Sequence, residues 1–165
     1  WRGVAVWDKV ASRPQKGRFR QQSEYIVWGS NGKMPLERNV GCLPGVFRYP
    51  NPQNRIHVTE KPLQLMRDVV QICEPGGRIL DPFAGAGTTV LAAVQEGYEA
   101  VGIEMSDAYF QRSTERLKTA LESEVNQNRF TILQEIPKSE SNLIHSRNSE
   151  RKHENETTLG FYLRQ

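Results

Sequence analysis

The chain has 165 residues, of which 37% are hydrophobic and 25% are charged, and its formal net charge is +3. This length suits one domain with a single core, and no run of about 20 apolar residues is present that would cross a membrane. Cys42 and Cys73 lie in no Cys-x-x-Cys pattern, and the first residues lack the pattern of a secretion signal, so we expect a cytoplasmic protein without a disulfide framework or a bound metal.

Two strands joined by a basic loop are predicted at the start of the chain. "RGVAVWDK" at residues 2–9 and "EYIVWGSNG" at residues 24–32 are rich in β-branched and aromatic residues, and the second run ends in turn-forming residues. The loop sequence "RPQKGRFR" places four basic residues around Phe19. A solvated loop would account for so short a cluster, and so would a nucleic-acid contact. The basic residues concerned are Arg13, Lys16, Arg18 and Arg20.

Positive charge is concentrated in the same part of the chain. Residues 1–67 hold twelve Lys and Arg against four Asp and Glu, whereas residues 68–122 hold four against nine. Residues 33–62 are also rich in proline and glycine, which disfavour a regular helix or a central strand. We therefore predict an irregular excursion here, either a recognition loop or a linker.

The next residues alternate between helical and strand patterns. "KPLQLMRDVVQICEPGG" predicts a helix that starts near Pro62 and stops at Pro75-Gly76-Gly77. "RILDPF" predicts a buried strand, "TTVLAAVQEG" a helix that ends at Gly97, and "EAVGIEM" a further strand. Ser106 is placed to cap a last helix that runs to about Glu122. The order strand, glycine turn, helix, strand, helix predicts an α/β protein with half of a doubly wound nucleotide-binding fold.

Glycines in "DPFAGAGTT", residues 81–89, predict a binding site at this turn. Gly85 and Gly87 let the backbone approach a ligand closely, and the following helix start offers free N–H groups. Glu104 ends the next strand nineteen residues after Gly85, which is about the spacing at which a carboxylate receives ribose hydroxyls. Asp81 would repel a phosphate and attract a cation. The expected ligand therefore has a ribose and a positive charge, as S-adenosyl-L-methionine has.

With these motifs in place, residues 57–117 strongly resemble the cofactor half of bacterial and phage site-specific DNA amino-methyltransferases, which methylate adenine at N6 or cytosine at N4. The resemblance is to the permuted subgroup, in which the catalytic segment precedes the cofactor segment. "WRGVAVWDK" and "RFRQQSEYIVWGSNG" also resemble a strand pair of the phage-type members. The resemblance implies a Rossmann-like class I methyltransferase fold, S-adenosyl-L-methionine as cofactor and double-stranded DNA as partner.

The family pattern implies roles for individual positions. Around the methionine part of the cofactor it places Asp81, Phe83, Ala84, Gly85, Gly87 and Thr88, with Glu104 at the ribose. The turn that closes over the methionine end corresponds to Thr59, Glu60 and Lys61. Residues 33–56 would be the target-recognition excursion, and the side chains there that could reach base edges or phosphates are Arg38, Arg48, Tyr49 and Arg55.

One family motif is missing from the sequence. The catalytic motif Asp/Asn/Ser-Pro-Pro-Tyr/Phe orients the flipped base, and no Pro-Pro pair occurs in the 165 residues. In the permuted order this motif would precede residue 1, so the resemblance implies a C-terminal portion whose central strands are missing. We expect the chain alone to be inactive and poorly stable, with the catalytic portion supplied by a missing N-terminal part or a complementary subunit.

The resulting organisation has a methyltransferase part and a tail. Residues 1–122 comprise a strand hairpin (1–32), the recognition excursion (33–56) and the cofactor unit (57–122), and residues 123–165 are expected to be a polar, weakly ordered tail. Two other functions stay open. The chain could be a non-catalytic S-adenosylmethionine- or DNA-binding partner of a split methyltransferase, or it could methylate RNA or protein, although the basic hairpin weighs against the latter.

Overall fold

A computed structural model describes residues 1–35, 37–57 and 59–121 in full, together with the backbone of residue 122 and of two strands at 130–134 and 161–164. Within these ranges the chain forms seven strands and three helices. They are, in chain order, β1 (Gly3–Asp8), β2 (Ser23–Trp28), β3 (Val46–Arg48), α1 (Leu63–Val70), β4 (Arg78–Asp81), α2 (Thr88–Gln95), β5 (Glu99–Glu104), α3 (Asp107–Glu122), β6 (Phe130–Gln134) and β7 (Phe161–Arg164).

The first sheet contains the predicted hairpin and has the strand order β3-β1-β2-β7. β1 and β2 are antiparallel, with Gly3 opposite Trp28 and Asp8 opposite Ser23, so the predicted strand pair is confirmed. The proline-rich excursion is irregular as predicted, except that β3 pairs in parallel with β1. Because β3 is an edge strand of three residues, prolines on either side of it are tolerated.

The second sheet is parallel, with the order β4-β5-β6. Helix α2 connects β4 to β5, and α3 lies between β5 and β6. Gly97, at φ 86°, follows the last turn of α2, which confirms the predicted helix end. Pro62 stands one position before the first residue of α1. The predicted half of a doubly wound fold is therefore present.

Helix α1 contributes residues to the cores of both sheets. Leu65 and Val69, one turn apart, pack against Trp7 and its neighbours in the first sheet. Val70 belongs instead to the core that α2 and α3 form over the second sheet. Since deeply buried Trp7 also donates an N–H from its ring to the carbonyl of Tyr49, at 2.8 Å, it fixes the excursion to the hairpin.

The expected tail at residues 123–165 contains two of the strands. β6 extends the parallel sheet beside β5, and β7 pairs antiparallel with β2. Residues 123–129, 135–160 and 165 lie outside the described residues. The expectation that the segment as a whole is weakly ordered therefore stays a prediction.

A first testable consequence concerns the turn before α2. We expect Gly87→Ala to lower the free energy of unfolding by about 2–3 kcal/mol, because φ is 72° there and an added Cβ would lie 3.2 Å from Ser113 Cβ. Gly76→Ala is the matched control, since φ is 78° but nothing lies within 4 Å of the added Cβ. It should lose only about 1 kcal/mol. Urea unfolding of both variants measures the difference, and equal losses would contradict this account of the packing.

Candidate cofactor and nucleic-acid site

A cleft of about 520 Å³ opens where β4 and β5 end. The carboxyl ends of parallel strands are the usual ligand side of an α/β sheet. The cleft is bounded by the end of β4, the glycine turn, the end of β5 and the turn before α1. It contains nine of the ten predicted cofactor residues: Thr59, Glu60, Lys61, Asp81, Phe83, Ala84, Gly85, Thr88 and Glu104. Gly87, the tenth, lies behind it against α3.

The glycine turn is held in place by Glu104. One carboxylate oxygen of Glu104 accepts the N–H of Gly85 and the other accepts the N–H of Ser106, each at 2.8 Å. The N–H of Ala84 donates to the carbonyl of Ile103 at 2.8 Å, which attaches the turn to β5. Because a carboxylate has about four acceptor positions, Glu104 retains capacity for hydroxyl groups of a ligand.

A second carboxylate, that of Asp81, stands at the start of the turn. It accepts the N–H of Phe83 at 3.0 Å and lines the same cleft as Glu104. The Phe83 ring is 84% exposed. The cleft thus combines two acids with an uncovered aromatic ring, which suits a cationic ligand with a flat group better than a phosphate.

Glu60 is committed to an internal network. Its side chain is only 5% exposed, pairs with Arg116 Nη1 at 2.9 Å and accepts the N–H of Ile56 at 2.7 Å. The same Arg116 nitrogen donates to the carbonyl of Ala86 and to Thr88 Oγ1, both at 3.0 Å. Arg116 therefore connects three parts of the cleft wall. No sequence pattern indicated it, because an arginine in a charged helix gives no signal of its role.

Thr59 and Lys61 also have partners within the protein. Lys61 Nζ lies 2.6 Å from a Glu24 carboxylate oxygen, and Thr59 Oγ1 lies 2.8 Å from His57 Nδ1. His57, which no sequence pattern indicated, lines the cleft and makes a tilted contact with the Tyr109 ring, with the ring planes at 60° and the ring centres 4.4 Å apart. A lone histidine after a proline-rich stretch carried no signal for this position.

A second cleft of about 940 Å³ adjoins the first and shares Thr59, Glu60 and Lys61 with it. Its wall comes mainly from the hairpin, where the Glu24 carboxylate bridges Lys9 at 3.2 Å and Lys61 at 2.6 Å. Burial of the Glu24 carboxyl raises its pKa, but the hydrogen bonds and charges of the two lysines outweigh burial and leave the pKa below its usual value. Glu24 therefore stays charged near neutral pH and holds the two sides of this cleft together.

The predicted nucleic-acid residues fall into two groups. Those exposed to solvent are Arg13, Lys16, Arg18, Arg20, Arg48 and Arg55; Arg48 pairs with Asp8 at 3.0 Å, and Arg55 lines the second cleft. Arg38, by contrast, is 7% exposed and binds Glu74 and the carbonyl of Ile72. The Tyr49 hydroxyl donates to Asp68 at 2.6 Å. The structure does not bring Arg38 and Tyr49 to the basic surface, because both are engaged in packing.

The parallel sheet ends abruptly at β4. Among the described residues, β4 pairs with β5 alone, and Leu80 in β4 is 63% exposed on the face opposite the helices. Parallel sheets normally have both faces covered, and an apolar free edge invites another strand.

Metal-ligand side chains are scattered rather than grouped. Within the described ranges, no three His, Cys, Asp or Glu side chains come together as metal ligands would. Cys42 and Cys73 are both free thiols, and burial of Cys73 raises its pKa. In the part of the chain that the structure describes, no helix is long and apolar enough to cross a membrane.

The chain is similar in sequence to known DNA methyltransferases. Residues 42–115 match the N6/N4 family described as DNA methylase. The type II methyltransferase M.ScaI of Streptomyces caespitosus is 38% identical over 153 residues, which covers 72% of this chain and 50% of the relative. The type II methyltransferase M2.MboI of Moraxella bovis is 28% identical over 132 residues, covering 68% and 48%. The chain thus spans about half the length of these relatives.

Solved structures show the same fold. The complex of M1.HpyAVI with S-adenosylmethionine superimposes with a TM-score of 0.54 at 28% identity, covering 70% of this chain and 61% of that one. The DNA modification methylase TTHA0409 of Thermus thermophilus gives a TM-score of 0.54 at 26% identity, covering 80% and 57%. The class I methyltransferase fold that the family resemblance implied is therefore confirmed.

Proposed function

The chain belongs to the N6/N4 DNA methylase family, and from that premise we propose that it supplies the S-adenosyl-L-methionine site and part of the DNA surface of an amino-methyltransferase. The reaction would transfer a methyl group to the exocyclic amino group of adenine (N6) or cytosine (N4) in double-stranded DNA. The observation that carries this proposal is the pair of acids, Asp81 and Glu104, that flanks the glycine turn in one cleft.

Each acid has a distinct part in binding. Glu104 is fixed by two backbone N–H groups, so its remaining lone pairs would accept the two ribose hydroxyls at little cost in ordering. Asp81 would attract the sulfonium and amino charges of the methionine part. The remaining wall would enclose that part with Phe83, Ala84, Gly85 and Thr88.

The turn at residues 57–61 would close the methionine end of the cleft. Thr59 and Lys61 are the candidates for direct contact, whereas Glu60 would act mainly by holding the turn against Arg116. That M1.HpyAVI is solved in complex with S-adenosylmethionine at a TM-score of 0.54 supports the choice of cofactor. S-adenosylmethionine brings the methyl group; the chain's own residues bind and orient it.

The catalytic Asp/Asn/Ser-Pro-Pro-Tyr/Phe motif would come from a separate N-terminal portion or a complementary subunit. The absence of a Pro-Pro pair in the sequence and the free edge of β4 next to the cleft support this arrangement. The same two features also support the alternative that this chain is the non-catalytic part of a split methyltransferase. We place the assembled enzyme in the cytoplasm, where its DNA substrate would be.

Calorimetric titration with S-adenosylmethionine tests the cofactor site. We expect binding to be weak in the chain alone and saturable once the missing strands complete the sheet, and we expect Glu104→Ala to weaken it at least about tenfold, because both the ribose acceptors and the anchor of the glycine turn are removed. Asp81→Asn should weaken S-adenosylmethionine more than S-adenosylhomocysteine, which has no sulfonium charge. Glu115→Ala, an exposed acid on α3, is the control and should bind as the wild type does. Tighter binding of AMP than of S-adenosylmethionine would refute the site.

A further inference from the structure

The loop between β1 and β2, residues 9–22, presents one aromatic side chain to solvent. Phe19 is 99% exposed, although moving a phenylalanine ring out of water is favourable. It stands between Arg18 and Arg20, which are both exposed. Removing this ring would disturb no packing in the described chain. The presence of an exposed phenylalanine is therefore best explained by another molecule that the loop contacts.

The base of the loop is rigid while its tip is open. The Asp8 carboxylate accepts the N–H of Val10 at 2.8 Å and the side-chain amide of Gln22 at 2.9 Å, and Lys9 N–H donates to the Gln22 carbonyl at 2.8 Å. Gly17 has φ 72° with nothing within 4 Å of an added Cβ. The loop is therefore held firmly at its base and projects Phe19 from a turn close to its far end.

The base of the loop also borders the route to the cofactor cleft. Lys9, Gln21 and Ser23 line the second cleft, which continues into the first through Thr59, Glu60 and Lys61. A nucleotide lying in the second cleft would thus have the loop on one side and the cofactor cleft on the other. Methylation of a base amino group requires that the base leave the duplex stack.

We propose that Phe19 inserts into the base stack of duplex DNA beside the nucleotide that enters the second cleft, while the loop cations hold the flanking phosphates. Apolar side chains act in this way in proteins that unstack DNA, and an aromatic ring stacks on any base. Arginine and lysine contacts fix the loop along the backbone. The inference deepens the proposed function and rests on DNA being its substrate.

Fluorescence anisotropy with two duplexes of about 20 base pairs tests this role, one fully paired and one with a single central mismatch. We expect the chain to bind the mismatched duplex about tenfold more tightly, because unstacking a mismatched base costs less. Phe19→Ala should lose about tenfold on the mismatched duplex and with it the preference, whereas Phe19→Trp should keep it. Val46→Ala, which truncates another exposed apolar side chain, is the matched control.

Salt dependence separates stacking from charge. Arg18→Ala should lower the slope of log affinity against log salt by about one and weaken both duplexes alike, while Phe19→Ala leaves the slope unchanged. The proposed insertion of Phe19 would be overturned if the wild type showed no preference for the mismatched duplex, or if Phe19→Ala bound both duplexes as the wild type does. Neither result would bear on the cofactor site. Absence of all DNA binding would overturn the interface as well, and calorimetry with S-adenosylmethionine reports on the cofactor site independently.

Discussion

Replacing Glu60 with alanine is expected to lower the free energy of unfolding by about 3 kcal/mol, because it leaves the Arg116 charge without its acid in a largely buried setting. The Glu60 side chain is 5% exposed and that of Arg116 21%. The backbone N–H of Ile56 would lose its acceptor too, and an unpaired buried donor has a cost of its own. Urea unfolding followed by tryptophan fluorescence measures the loss.

A double-mutant cycle assigns the effect to the pair. Arg116→Ala alone should also destabilise, and the double variant should lose less than the sum of the two single variants. Glu115→Ala, in the residue next to Arg116 but exposed, should change stability by less than about 0.5 kcal/mol. Additive losses would show that the two side chains are energetically independent, contrary to the network described for the cleft wall.

The Glu60 network also ties stability to binding. Arg116 holds both the carbonyl of Ala86 and the Thr88 hydroxyl, and these groups belong to the turn that would receive the cofactor. Loss of Glu60 should therefore loosen the glycine turn even at temperatures where the chain remains folded. The same ion pair that stabilises the fold thus preorganises the cleft.

Local signals in the sequence predicted much of the fold. β-branched and aromatic runs indicated β1 and β2, and the glycine turn with its helix indicated the order of β4, α2 and β5. These patterns succeed because the side-chain period and turn chemistry are properties of neighbouring residues. Strand β3 was missed, since three residues form a strand only through pairing with distant β1.

The candidate site was predicted as a set of positions but not as a network. The structure brings nine of the ten cofactor positions to one cleft. The pairs Glu60–Arg116 and Lys61–Glu24 are separated by dozens of residues in sequence, so nothing local indicates them. Charge alone likewise suggested a surface role for Arg38, which the structure packs against Glu74. Residue type shows what a side chain can do, while its partners depend on the tertiary fold.

The largest expected effect concerns methyl transfer. We expect the 165-residue chain alone to incorporate no tritiated methyl group from S-adenosylmethionine into duplex DNA, because it has no Pro-Pro motif to orient the target amino group. Joining it to the part of M.ScaI that it does not span, either as a fusion or by co-expression, should give measurable incorporation. M.ScaI is a suitable donor because it is 38% identical to this chain where the two match, and because the match covers only 50% of M.ScaI.

Controls decide what such complementation means. If the added portion supplies catalysis and this chain the cofactor, Glu104→Ala in this chain should abolish incorporation by the assembled enzyme. Glu115→Ala should leave it unchanged. Docking should also bury Leu80 of β4, which is 63% exposed, so Leu80→Lys should block assembly of the two separate chains. Methyl transfer by the chain alone would contradict this division of labour, because the amino group would then be oriented by residues within these 165.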